Sequence, residues 1–158
     1  MRSDIKEVHG SMNGSGQRIG VVLSRFNGLV TGQLYDAAED ALIRHGVNPS
    51  DITVVHVPGA FEIGLVARAL AARDDIDAVI CLGAVIRGET PHFDYVAAEA
   101  AKSIGGASER FGKPVIFGVL TTENVDQALQ RAGVKGGNKG AECAQTAIEA
   151  LNLLRALQ

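Results

Sequence analysis

The residues best suited to handle a charged small molecule fall in four short segments of this chain. The run Gly83-Ala84-Val85-Ile86-Arg87-Gly88-Glu89-Thr90-Pro91-His92-Phe93 is the most informative. Thr90 is a good N-cap and Pro91 suits a first helical position, so a helix is expected to start here. Gly88 allows the backbone to turn tightly before it. Free N–H groups at such a start make an anion site suited to a phosphate, with His92 in the first turn beside it. The plain alternative is a capped helix with His92 on the surface, and one capped helix alone does not decide between them.

A second clue lies at Asn138-Lys139-Gly140-Ala141-Glu142. Asn138 reads as an N-cap, which puts Lys139 in the first turn. A cation there opposes the helix dipole at a cost of about 0.3–1 kcal/mol. Something anionic should compensate, either Glu142 or a ligand phosphate. Arg131 lies just ahead, near the end of the preceding helix, where the dipole welcomes a cation without any ligand.

Other chemistry lacks its motif. Gly14, Gly16 and Gly20 precede a strand and miss the dinucleotide spacing, and Gly-Gly-Asn-Lys-Gly lacks the Lys-Ser/Thr pair of a phosphate-binding loop. His9, His45 and His56 show no ligand spacing, and no Ser or Cys sits in a nucleophile elbow. No metal site is expected.

These segments need elements to position them. Ile19–Leu23 is a continuous apolar, β-branched run, as in a strand buried on both faces. Leu34, Ala37, Ala38, Ala41 and Leu42 mark one helix face, stopped by Gly46 and Pro49. A strand over Ile52–Val57 is broken by Pro58-Gly59, and Ile63, Val66, Ala67 and Leu70 mark a second helix. A strand over Ala78–Leu82, a helix over Pro91–Phe111 and a strand over Val115–Leu120 follow. Helices near Glu123–Ala132 and Lys139–Leu157 close the chain. Four such alternations predict an α/β fold: a four-stranded parallel sheet in three αβα layers, flavodoxin-like, in one domain over residues 18–158. Residues 1–17 read as a flexible arm in which Ile5-Lys6-Glu7-Val8 could add an edge strand. Ligands of such sheets bind beyond the carboxyl ends of the strands. That is where Ser24-Arg25-Phe26-Asn27-Gly28, Pro58-Gly59-Ala60-Phe61-Glu62 and the Gly83–Phe93 run all fall.

Bulk properties fit this picture. The 158 residues suffice for one core, and 46% apolar with 21% charged residues is ordinary for a globular domain. A net charge of −3 and a pI near 5.8 argue against a nucleic-acid or membrane-surface partner. Cys81 and Cys143 have neither metal-ligand spacing nor the look of a disulfide framework. With no bilayer-length apolar run and no signal core, a reduced, cytoplasmic protein is expected.

Taken in order, the segments resemble the lumazine synthase family. The residues that carry the resemblance are Ser24-Arg25-Phe26-Asn27, Pro58 to Ile63, GAVIRGETPHFDYV at 83–96, Phe117-Gly118-Val119-Leu120-Thr121, Arg131-Ala132-Gly133 and Gly137-Asn138-Lys139-Gly140. It runs from about Ile19 to the end of the sequence, and the 83–96 segment is highly specific. The resemblance implies condensation of 5-amino-6-(D-ribitylamino)uracil with 3,4-dihydroxy-2-butanone 4-phosphate, releasing phosphate and water, without cofactor or metal. By matching positions, Phe26 would stack on the pyrimidine with Asn27 beside it. Ala60, Phe61 and Glu62 would hold the ribityl chain, helped by Val85 and Ile86, and Gly59, Gly83 and Ala84 would also bind substrate. Gly88, Glu89 and Thr90 would cradle the phosphate, Arg131 would be its charged partner, and His92 would shuttle protons. Phe117, Arg131 and Lys139 would come from a neighbouring subunit, so a homo-oligomer is implied, as pentamers or as a 60-subunit capsid of twelve pentamers. The short loop Gly133–Asn138 favours the capsid, and riboflavin synthase is an implied partner. Two departures stand out: Gly136 where some relatives have histidine, and Phe61 where many have tryptophan. Competing readings are an archaeal-type riboflavin synthase and a non-catalytic flavin-binding or capsid protein.

Overall fold

The computed structural model describes residues 2–158. Strand β1 (Ile19–Ser24) leads into helix α1 (Gly28–Arg44), and a 3-10 turn at Pro49–Asp51 precedes β2 (Ile52–Val57). A second 3-10 turn, Ala60–Glu62, runs straight into α2 (Ile63–Ala71). Then follow β3 (Ala78–Ile86), α3 (His92–Phe111), β4 (Val115–Thr122), α4 (Val125–Arg131) and α5 (Lys139–Ala156). The four strands form one parallel sheet in the order β2-β1-β3-β4, the flavodoxin-like order expected.

Alternation along β1 shows why the strands are apolar throughout. Ile19, Val21 and Leu23 pack with Leu34, Ala38 and Leu42 of α1 and with Ala144, Ala147 and Ile148 of α5. Val22 faces the other way, into a cluster with Ile63, Ala67 and Leu70 of α2 and Ile104 of α3. Both faces of the sheet are thus covered, giving three layers. Among the described residues no helix is long and apolar enough to cross a membrane.

Several boundaries differ from expectation, those of β3, β4 and α4 by two residues or more at one end. Strand β3 runs to Ile86 rather than stopping at Leu82, and β4 runs to Thr122, because the ladder continues through Gly83↔Val119 to Ile86↔Thr122. Gly83 is therefore a strand residue. A Cβ there would lie 2.9 Å from Ile63 Cδ1, so the glycine makes room for α2 instead of turning the chain. Helix α4 is shorter than Glu123–Ala132, starting after Asn124, whose side chain accepts from the Gln127 N–H at 2.9 Å. No strand forms over Ile5–Val8 within the chain, and both apolar side chains are exposed.

Residues 10–17 lie against the end of α5. Asn152 donates to the carbonyls of Ser11 and Asn13 at 2.8 and 2.9 Å, and the buried Gln17 Nε2 donates to Asn152 Oδ1 at 3.0 Å. A Cβ on Gly10 would overlap the Glu149 carbonyl, so the backbone crosses α5 at a distance only glycine allows.

Candidate functional site

Strand order reverses between β1 and β3, and the cleft opens there, at the carboxyl end of the sheet. Three chain segments build it. The loop after β1 brings Phe26, held by its N–H to the Pro58 carbonyl (3.1 Å), and Asn27. Asn27 adopts the left-handed conformation (φ 62°, ψ 46°) at the start of α1 and donates from Nδ2 to the Ala84 carbonyl at 2.9 Å. Most residues with a Cβ pay roughly 1–2 kcal/mol in that region, whereas asparagine enters it more readily. The segment after β2 supplies Gly59, Ala60, Phe61 and Glu62. The end of β3 and the loop beyond supply Ala84, Val85, Ile86, Gly88, Thr90 and His92. The cleft encloses about 820 Å³ and is walled mainly by apolar groups, with Phe26 and Phe61 largely exposed at 69% and 55%. Exposed aromatic faces beside a few polar groups suit a flat, polar-edged ring.

The start of α3 differs in detail from the expectation. Thr90 is not the N-cap: Pro91 holds that place with ψ 5°, and no side chain caps the end. The first turn closes on Pro91, whose carbonyl accepts from the Asp94 N–H at 3.0 Å, which leaves Thr90 one residue out of capping reach. His92 becomes the first helical residue. An end without a side-chain cap leaves its amide donors without a side-chain partner.

A second, smaller cleft of about 480 Å³ gathers Arg131, Lys139 and Glu142 with Val119, Leu120, Thr121, Gln130 and Gly137. Asn138 caps α5 as expected, accepting from the N–H groups of Gly140 (2.8 Å) and Ala141 (3.4 Å). That leaves Lys139 in the first turn and Glu142 in the same cleft. Arg131 donates to the Gln127 carbonyl of its own helix at 3.0 Å, the helix-end role open to it without a ligand. Phe117 lies on β4, half-buried against the α2–α3 side of the sheet, and lines neither cleft. Gly83 sits beneath the first cleft as a packing residue, and Glu89 is exposed in the loop outside it.

Four lining residues had been given no role of their own: Pro58, Phe93, Tyr95 and Val96. His92, Tyr95 and Val96 recur at i, i+3, i+4, so helical spacing counted from His92 would have found two of them. Among the described residues no cluster of three or more His, Cys, Asp or Glu could hold a metal ion. Burial pushes up both thiols, with Cys143 reaching about 11, as suits packing residues.

A family model described as 6,7-dimethyl-8-ribityllumazine synthase matches residues 16–155, nearly the whole chain.

Proposed function

The chain belongs to the 6,7-dimethyl-8-ribityllumazine synthase family, transferases of riboflavin biosynthesis, and from that premise we propose the reaction and its residues. The enzyme condenses 5-amino-6-(D-ribitylamino)uracil with 3,4-dihydroxy-2-butanone 4-phosphate. The amine adds to the ketone and water leaves to form an imine. Phosphate is then eliminated, and the second nitrogen closes the ring with loss of another water. Amine addition, elimination and cyclisation transfer protons but no electrons to an outside acceptor, so the residues themselves can carry them.

The observation that supports this reading is the single cleft uniting Phe26, Ala60–Glu62 and Gly88, Thr90 and His92 from three separate loops. Phe26 and Phe61 offer ring faces to the pyrimidine and its side chain. Gly88, Thr90 and the start of α3 offer donors to the phosphate, and His92 stands beside that place as proton carrier. Holding both substrates there can supply roughly 7–11 kcal/mol through orientation, and a positioned histidine about 10²–10⁴-fold. Arg131 recognises the phosphate as both handle and leaving group. Because Arg131 and Lys139 line the other cleft, a neighbouring subunit supplies them in this reading. The proposed assembly is a pentamer or a 60-mer of twelve pentamers in the cytoplasm, with riboflavin synthase as the candidate partner.

Assaying the purified protein with both substrates tests the reading by the appearance of lumazine fluorescence. Riboflavin formed from lumazine alone would overturn it in favour of a riboflavin synthase. Arg131→Ala is expected to lose most activity through weaker binding of the phosphate substrate, and His92→Ala less. Turnover equal to wild type in both variants would sink the roles assigned.

A further inference from the structure

Arg87 is the first residue beyond β3, and three side chains converge on its guanidinium. Its Nε donates to Glu123 Oε2 at 2.8 Å, and its Nη1 to Asp94 Oδ1 at 3.4 Å. Its carbon Cζ lies 4.4 Å from the centroid of the Phe93 ring, a cation–π distance. Its own N–H continues the β3–β4 ladder by donating to the Thr122 carbonyl at 2.9 Å. Arg87 is absent from the lining of either cleft, yet it ties a lining residue, Phe93, to groups just outside. Phe93 lines the larger cleft, Asp94 lies in the first turn of α3 two residues after His92, and Glu123 joins β4 to α4.

The loop between β3 and α3 otherwise has little to hold it. Gly88 meets nothing within 4 Å of a built Cβ, Glu89 and Thr90 are exposed, and no side chain caps α3. A backbone so lightly packed keeps its place only if its two ends are fixed. One end is the β3 ladder. The other is the start of α3, and Arg87 reaches across to it through Phe93 and Asp94. The planar fork of arginine allows all three contacts at once, which an ammonium cannot match.

We propose that Arg87 is a positioning residue that clamps the Gly88–Thr90 loop and the first turn of α3, and with them His92, in the geometry that receives the phosphate of the second substrate. The proposal rests on the condensation proposed above, in that the phosphate substrate is the one whose binding Arg87 governs. The opposite wall, Phe26 and Ala60–Glu62, is built by other loops and does not depend on Arg87.

Steady-state kinetics on Arg87→Ala, Arg87→Lys and Glu123→Gln, each compared with wild type, test this. In Arg87→Ala the KM for the phosphate substrate should rise about tenfold while that for the uracil substrate stays within about twofold, since displaced positioning acts locally. Glu123→Gln, which leaves every lining atom in place, should shift the same KM in the same direction by less. Arg87→Lys should recover under half of the loss, because it keeps the charge without the fork. Amide hydrogen exchange on the same proteins should show faster exchange at residues 88–92 and 93–94 in Arg87→Ala, with residues 59–62 unchanged. Equal changes in both KM values, or none in any variant, would overturn the proposal, as would unchanged exchange at 88–94. If Arg87→Ala fails to fold, Arg87→Lys and Glu123→Gln carry the kinetic test. If the wild type makes no lumazine, the condensation reading falls, and the exchange data alone then uphold or overturn the clamp.

Discussion

His92 and Arg131 face different clefts of the same subunit, His92 at the start of α3 in the larger and Arg131 at the end of α4 in the smaller. Chemistry that needs both in one place therefore needs two copies of the chain. Two impaired variants should then complement each other. Mixing His92→Ala with Arg131→Ala through unfolding and joint refolding leaves some sites with both native residues, about a quarter at equal, random mixing around a ring. Activity should reappear at roughly that share of wild type, read as lumazine formation. Mixtures no more active than the average of the two separate variants would show that sites are not shared.

Asn27 does two jobs in one residue, accepting a left-handed backbone and bonding the Ala84 carbonyl. Asn27→Gly keeps the first and loses the second, and should cost about 0.5–1.5 kcal/mol. Asn27→Ala loses both and should cost about 2–3 kcal/mol, adding the left-handed penalty for a Cβ. Urea unfolding should rank wild type above Gly and Gly above Ala. The reverse order for the two variants would mean that the backbone relaxes freely there.

Where α5 meets α1, a Cβ on Gly140 would overlap the backbone carbonyl of Leu34, which no side-chain movement can relieve. Gly140→Ala should therefore push the helices apart and destabilise by about 1–3 kcal/mol. Gly105, within α3, has nothing within 4 Å of a built Cβ. Gly105→Ala should instead stabilise by about 0.5–1 kcal/mol through helix propensity. Thermal melts of both variants decide it, and shifts of the same sign would refute the contrast.

At the far end of the sheet, Asp77 accepts from the Arg18 N–H at 2.8 Å and from its guanidinium at 3.0 and 3.2 Å. Burial pushes the Asp77 carboxyl up, but the Arg18 hydrogen bonds and the charges of Arg18 and Arg155 outweigh it, holding the group below the ordinary carboxylate range. A depressed value in the folded state means stability that is present above the unfolded value and lost as pH falls through the folded one. Denaturant midpoints should thus decline as the solution is acidified below the ordinary carboxylate range. Asp77→Asn should lower the midpoint at neutral pH and shrink that decline. A variant that tracks wild type at every pH would rule out this contribution.

Much of the scaffold is legible in single segments, because a buried parallel strand such as Ile19–Leu23 announces itself by an unbroken apolar run. Gly83 was misread as the end of a strand since its reason for being glycine, Ile63, stands twenty residues earlier in sequence and meets it only in the fold. Thr90 was misplaced by one residue because capping depends on the ψ of Pro91, which residue types alone do not set. The clamp at Arg87 was invisible for a similar reason: Glu123 is 36 residues away, and nothing local ties them. The helix starts at His92 and Lys139 were both readable from residue types. That they lie in separate clefts is a property of the packed chain.

The division of the core into two faces also bears on how the protein is made. The side of the sheet formed with α2 and α3 is complete once residues through β4 have left the ribosome. The other side waits for Ala144, Ala147, Ile148 and Leu151, all in the last helix. Until then a nascent chain carries a finished layer on one side, while on the other only α1 covers part of the sheet and Ile80 and Leu82 of β3 lack the cover of α5, a natural target for chaperones and a seed for aggregation. Translation that stops short of α5 would therefore release a sticky half-sandwich rather than a slightly weakened enzyme.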